Sequence, residues 1–289
     1  METTEAADSA DTIDRLDALL KRFTLRAEQF HVGPVCSTQR YEALPGRGFL
    51  HILRAGALTL HTERDPAGRI IDEPSLLFYP GPVEHAFHVD SDEGVDLACA
   101  TLDFAGGASH PLVAALPEEI VVPLSAVSGL EASLGLLDGE IEEYRCGRRH
   151  IVDRVFEIVL LKLLRHLLDQ PGHGELSPGL FGGLADPGIA RALTAMHEEP
   201  GAPWSLEELA RAARMSRSAF AGRFRELVGV SPHDYLVSWR IAVAKPLLRQ
   251  GYSVSRVAAE LGYTSSSFSR AFAQREGCSP RAWVGAVSA

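Results

Sequence analysis

Two groups of side chains in this 289-residue sequence have types and spacings suited to chemistry. The first lies toward the C-terminus: Arg217, Ser218, Ala221, Gly222 and Arg225 in one segment, and Ser265, Ser266, Ser269 and Arg270 in another. A guanidinium binds phosphate or the edge of guanine in bidentate fashion, whereas serine hydroxyls bond phosphates or bases with less selectivity. The second group is His51, His61, His85, His88 and Cys99. If these converged, imidazoles with a thiolate would suit Zn, Cu or Fe. His85 and His88 are three apart, however, so in a strand they face opposite sides. The favoured reading is a scaffold carrying isolated polar residues, with no metal or cofactor and with Cys99 buried as a small apolar side chain.

The arginine-bearing segments belong to an internal repeat. SLEELARAARMSRSAFAGRFRELVGVSP (Ser205–Pro232) aligns without gaps to SVSRVAAELGYTSSSFSRAFAQREGCSP (Ser253–Pro280), with eight of 28 positions identical. Phe220 and Phe224, like Phe268 and Phe272, fall at i and i+4 and predict one buried stripe on a helix. Gly229 and Gly277 end that helix, and Ser-Pro starts the next. In the first copy Ser205 and Glu208 form a capping box, Arg214-Met215 turns, and Ser216 caps again. In the second, Ser253 caps, Gly262-Tyr263 turns and Thr264 caps. Each copy therefore reads as a helix-turn-helix, at 205–228 and 253–276, with small alanines letting its helices approach. Two copies with a linking segment are too few for a solenoid. The linker His233–Gly251 places Tyr235, Leu236, Trp239, Val243, Leu247 and Leu248 at helical spacing, and a rigid helix of about 25 Å holds two reading helices on one face of a duplex. With the phenylalanines inward, the residues named first form the outward faces. Arg270 is the best candidate for contact with guanine; Arg223 and Arg275 are left between DNA contact and surface ion pairing.

Charge divides in the same place. The formal net charge is −10, but residues 1–186 hold 15 Lys+Arg against 30 Asp+Glu, and residues 187–289 hold 13 against 8, twelve of the 13 being arginine. The Gly/Pro-rich stretch Gln170–Gly188 sits at the change of sign. This predicts domains at 1–170 and 189–289 joined by a linker at 171–188. With 46% hydrophobic residues the composition is that of a soluble globular protein. Four dispersed cysteines, no membrane-length apolar run and no secretion signal suit the cytoplasm.

In the N-terminal half, TIDRLDALLKRFTL (12–25) predicts an amphipathic helix. FHVGPVCS, GFLHILRAGALTLHT, PSLLFYPG, HAFHVD and VDLACATLDF then predict short strands punctuated by turn residues. Such spacing suggests a jelly-roll barrel enclosing a ligand cavity. Residues 126–169 supply two helices, the second apolar over more than half its circumference. The fold class is therefore α+β in two domains: a barrel with a helical pair, then an all-α double helix-turn-helix.

These residues carry a resemblance. The doubled helix-turn-helix, Tyr235-Leu236…Arg240-Ile241…Ala244…Leu247-Leu248, and above all AAELGYTSSSFSRAFAQREGCSP are similar to the C-terminal DNA-binding domain of AraC/XylS regulators. Pro246, inside the linking helix, departs from the pattern and is expected to kink it. Gly222 departs where a long side chain toward DNA is expected. His51…Arg54-Ala55-Gly56…Leu58…Leu60, with Leu77-Phe78-Tyr79-Pro80-Gly81…His85, resembles the half-motifs of a cupin barrel. Cys99…Asp103-Phe104…His110-Pro111-Leu112…Leu116-Pro117 resembles AraC-type regulators that carry such a barrel in front.

The resemblance implies a transcription regulator that binds double-stranded DNA and responds to a small effector, more an activator than a repressor, and then in contact with RNA polymerase. His51, Tyr79, His85 and Cys99 are the candidate effector contacts, and the helical pair implies a homodimer. No catalysis and no membrane contact are expected. The alternative is a metal-dependent cupin enzyme fused to a DNA-binding domain.

Overall fold

The computed structural model describes residues 13–89, 94–105, 107, 110–170 and 178–287. Thr12, Asp90 and residues 171–177 of the expected elements lie outside them. The apolar runs of the first half become β1 (Leu25–Val35), β2 (Gln39–Tyr41), β3 (Arg47–Ala55), β4 (Leu58–Thr62), β5 (Arg69–Ile71), β6 (Ser75–Tyr79), β7 (His85–His88), β8 (Val95–Phe104) and β9 (Ile120–Pro123). They form two antiparallel sheets, ordered β1-β8-β3-β6-β9 and β2-β7-β4-β5. Phe49, Leu53, Leu58, Leu60, Leu77, Tyr79, Phe87, Leu97 and Cys99 fill the space between them. β3 and β6 are covered on both faces, so FLHIL and SLLFY read as unbroken apolar runs where a half-exposed strand would alternate. Three strands were invisible in the sequence: β2, β5 and β9 are three or four residues long, too short to show a period.

The helices are α1 (Asp17–Arg22), α2 (Pro111–Ala115), α3 (Glu131–Glu142), α4 (Arg148–Asp169), α5 (Leu180–Ala185), α6 (Pro187–Glu198), α7 (Leu206–Ala212), α8 (Arg217–Val228), α9 (Pro232–Arg249), α10 (Val254–Glu260), α11 (Ser265–Glu276) and α12 (Pro280–Val287). Among the described residues no helix is long and apolar enough to cross a membrane. In the barrel unit α4 packs on α3 and along β1. Its carboxylates satisfy the outer edge of that strand: Gln29 N donates to Asp153 at 2.7 Å and Ala27 N to Glu157 at 3.2 Å.

The chain divides into two compact units, 23–182 and 183–287, with α1 belonging to the second. This differs from a boundary that keeps residues 1–170 together. The reason is a guanidinium: Arg22 donates to the carbonyls of His197 and Glu198, both at 2.9 Å, satisfying acceptors left open at the end of α6. Arg15 donates to Leu184 O at 3.1 Å. The described end of the expected linker is also ordered, as α5. Phe181 and Leu184 there are buried, and a Cβ on Gly183 would meet Leu193 and Val228 at 2.7 Å, so this glycine serves close packing.

Both helix-turn-helices form as the repeat predicts. Ser205 and Glu208 complete the capping box of α7, Ser216 caps α8, Ser253 caps α10 and Thr264 caps α11. Gly229 and Gly277 close α8 and α11 in the left-handed conformation. α9 runs through Pro246 to Arg249 as one helix, not two. The missing N–H is tolerated because α9 packs against α8, α10, α11 and α12, which hold it in place.

The turns of the two copies differ in one respect. Gly262 (φ +74°) and its repeat equivalent Arg214 (φ +57°) are both left-handed, but a Cβ on Gly262 would lie 2.3 Å from Gly201 O. Gly222 sits mid-helix with open space around it. Gly262→Ala should therefore destabilise the helical unit by roughly 2 kcal/mol or more. Gly222→Ala should stabilise it by about 0.5–1 kcal/mol. Urea titrations of the two variants will show opposite midpoint shifts; shifts of the same sign would refute this assignment of strain.

Candidate functional site

The outward faces of α8 and α11 are set by what the inward faces bury. Phe220, Phe224, Phe268 and Phe272 are fully buried, each pair packing at 5.5–5.7 Å between ring centroids. Arg217, Ser218, Gly222 and Arg225 of α8, and Ser265, Ser266 and Arg270 of α11, are exposed, with Ala221 and Ser269 half-exposed. The three arginines carry no ion pair among the described residues. The arginines left open by the sequence do: Arg223 pairs with Asp186 at 3.2 Å and Glu226 at 3.1 Å, and Arg275 with Asp234 at 3.4 Å. Both thus hold the scaffold. Three of the serines already have internal partners, since Ser269 Oγ donates to Ser265 O at 2.9 Å, Ser266 Oγ lies 3.2 Å from Thr264 Oγ1 and Ser218 Oγ lies 3.4 Å from Ser216 Oγ. Arg217, Arg225 and Arg270 remain as the cations free to meet phosphate or a base edge.

What joins the two copies was missed at the sequence level. Arg240, on α9, is 92% buried; its Nε donates to Pro200 O at 2.5 Å and a terminal nitrogen to Ala202 O at 2.8 Å. Its guanidinium lies 4.9 Å above the ring of Tyr263, in the turn of the second copy. The loop before α7, the linking helix and the turn before α11 thus meet at one cation, beside the Gly201–Gly262 contact. Nearby, His197 Nε2 pairs with Tyr235 Oη at 2.7 Å and its ring stacks on Trp239 at 3.9 Å. Burial depresses its pKa to about 3, so it is neutral.

In the barrel unit the four candidate effector contacts do come together, but as a packed core. His51 Nε2 lies 2.9 Å from His85 Nε2, Tyr79 stacks on His85 at 3.9 Å, and Cys99 is the register partner of His51 across β3 and β8. All four are essentially inaccessible. Tyr41, from the unforeseen β2, completes the cluster: it packs 4.6 Å from His51 and 4.9 Å from His85, with its hydroxyl 3.9 Å from Cys99 Sγ. The proton positions follow from chemistry. Val83 O can only accept, so His85 Nδ1–H donates to it at 2.9 Å, which leaves Nε2 of the neutral ring to accept from His51 Nε2–H. His51 Nδ1 is then a buried acceptor with no hydrogen-bond donor among the described residues. Burial lowers the pKa of His85 to about 4 and holds His51 well below its usual value, while pushing the Cys99 thiol up to about 12. His61 and His88 do not join them: His61 Nδ1 bonds Pro66 O and His88 Nδ1 bonds Thr38 Oγ1. Among the described residues no three His, Cys, Asp or Glu side chains are grouped to hold a metal. His110 caps α2, accepting from Leu112 N and donating to Phe23 O.

The cupin family model matches residues 14–169, over half the chain, and a helix-turn-helix domain model matches residues 209–286. The chain belongs to the AraC/XylS family. It is 34% identical over 182 residues to a putative AraC-like transcription regulator of Streptomyces antibioticus, 61% of this chain and 59% of that one. It is 28% identical over 277 residues to the RCS-specific HTH-type transcriptional activator RclR of Escherichia coli, covering 92% and 96%. The matches to the Streptomyces antibioticus protein and to a similar one of Streptomyces lividans span somewhat over half of those relatives, 59% and 54%. Among solved structures, ToxT of Vibrio cholerae aligns over 91% of this chain and 97% of its own at 14% identity, with a TM-score of 0.38.

Two outcomes test this geometry. Arg240→Ala should cost the helical unit roughly 3 kcal/mol, because two charge-assisted hydrogen bonds are lost and the buried Pro200 carbonyl loses its guanidinium donor. Trp204, Trp239 and Trp283 all lie in that unit, so tryptophan fluorescence in urea reads it selectively; an unchanged midpoint would show the brace to be idle. The second concerns pH. An unfolded histidine binds a proton near pH 6.5, which folded His85 refuses until about pH 4. Barrel stability should thus be level above pH 6.5 and fall as pH drops through that window, by about 2 kcal/mol at pH 5 from this residue alone. Denaturation followed by circular dichroism checks it, and a flat profile contradicts a neutral buried pair.

Proposed function

We propose that this family member is a sequence-specific DNA-binding transcription regulator, acting by binding and not by turnover. The observation that carries the reading is the pair of equivalent helices, α8 and α11, each capped at its start, held through one buried arginine, and presenting Arg217, Arg225 and Arg270 with no ion pair among the described residues. Phosphate contacts position such a surface, and base-edge contacts from α11 supply selectivity. α9, about 27 Å long at 1.5 Å per residue, keeps the two helices on successive segments of the major groove.

The barrel unit takes the regulatory role. A small effector that binds the DNA-competent and incompetent states with different affinity shifts their balance. Arg54 ties β3 to the helical pair through Asp138 at 2.5 Å, with Asp96 at 3.3 Å, giving a direct mechanical route. Leu136, Ile151 and Ile158 stand exposed on α3 and α4, the latter two seven residues apart on one face, which supports a homodimer through this pair. Dimerisation would offer four reading helices to a repeated or palindromic operator. Activation, with contact to RNA polymerase, and a cytoplasmic location complete the reading.

Arg270→Ala should relax preference at a single base pair, costing about 1–3 kcal/mol on the specific site and little on random DNA. Arg225→Ala should weaken all sequences alike and flatten the salt dependence. Binding measured on selected and random duplexes separates the two; equal losses on both for both variants would contradict the assignment of roles.

A further inference from the structure

An open cleft of about 600 Å³ lies on the barrel unit, lined by residues other than the four buried candidates. That volume suits a ligand of ordinary metabolite or drug size. Its wall is made by a bulge. β1 changes register against β8 between Gln29 and His31, so Phe30 is the extra residue and is turned outward, 46% exposed. Bulges re-aim side chains in this way. Phe30 meets Tyr41 at 5.9 Å and Phe49 at 6.3 Å, the latter nearly perpendicular, forming three aromatic surfaces around one space. Such rings pack a further flat ring by offset or edge contacts.

Arg40, Arg47 and Arg149 stand around the same space. Arg40 reaches Glu84 only at 4.0 Å and Arg47 reaches Asp103 at 3.9 Å; Arg149 pairs with Glu28 at 2.5 Å, and all these side chains are substantially exposed. Exposed pairs of this kind hold by about 0–1 kcal/mol, so an incoming carboxylate displaces them at little cost. Glu28 and Glu42 share the lining and reduce its surplus to one positive charge, which matches a single carboxylate better than a phosphate dianion.

We propose that this cleft binds an aromatic monocarboxylate, its ring against Phe30, Tyr41 and Phe49 and its carboxylate toward the arginines. The proposal rests on the effector-responsive reading above and names the site and ligand class for it. Arg149 is on α4 and Glu28 on β1, beside the Gln29–Asp153 and Ala27–Glu157 bonds, so a ligand that draws Arg149 from Glu28 acts on the seam that seats the helical pair.

Calorimetric titration of the full chain with indole-3-carboxylate and indole-3-carboxamide tests it. The acid should bind at least tenfold more tightly than the amide. Phe30→Ala should weaken both, and Arg149→Gln should weaken the acid alone by at least fivefold; both residues are exposed, so neither substitution disturbs the core. Equal affinities, or no binding of the acid, would overturn the proposal. Binding that survives Arg149→Gln and Phe30→Ala but is lost in His85→Ala would place the ligand in the barrel core, overturning this site while leaving an effector-responsive regulator intact. If the cleft variants behave as expected but the bound acid leaves DNA affinity unchanged, the site stands and the regulatory reading fails.

Discussion

The arrangement of the helical unit depends on one buried cation. Arg240 reaches from the linking helix to two carbonyls ahead of the first helix-turn-helix and lies under the turn of the second. A buried guanidinium is stable only when its N–H groups are satisfied, so the loop at 200–202 is bound to adopt the one path that offers those carbonyls. That path brings Gly201 against Gly262, where neither can carry a side chain. The second copy is thereby fixed through its turn as well as through α9. α9 itself continues through Pro246, packed between α8, α10, α11 and α12.

The barrel unit solves a related problem with neutral groups. Its interior holds two imidazoles, two phenols and a thiol, and burial keeps each uncharged by lowering the histidines and raising the others. The hydrogen bonds run in one direction, from His51 through His85 to Val83, while Tyr79 donates to Glu119, itself held by Arg69. The cluster is thereby closed to solvent, whereas Phe30 stands partly exposed beside it.

Much of the helical unit was legible in the sequence because its determinants are local. Ser205 with Glu208, Thr264 with Ser267, and the paired phenylalanines act across three or four residues, and a repeat states each of them twice. The outward faces then follow from geometry. Arg240 could be quoted as part of a resemblance but not given a role, since its partners lie about 40 residues away and are backbone atoms. The barrel's long strands were readable from apolar runs, whereas β2 was not, and with it went Tyr41. The bulge at Phe30 exists only in the pairing of β1 with β8, so no local pattern announces it. At the described end of the expected linker, Gly183 serves close packing against Leu193 and Val228 within α5, which a local Gly/Pro count does not distinguish from a turn.

In the proposed function two reading helices, held at a fixed separation, engage one duplex together. Sites selected from random DNA by the full chain, and then re-measured with five base pairs inserted between the two contacted segments, test it most directly. A fixed pair loses one segment to the far side of the duplex, so affinity should fall to that of a single half-contact, a drop of two orders of magnitude or about 2.7 kcal/mol. Affinity unchanged by the insertion would mean that the helices move independently and would contradict a fixed pair.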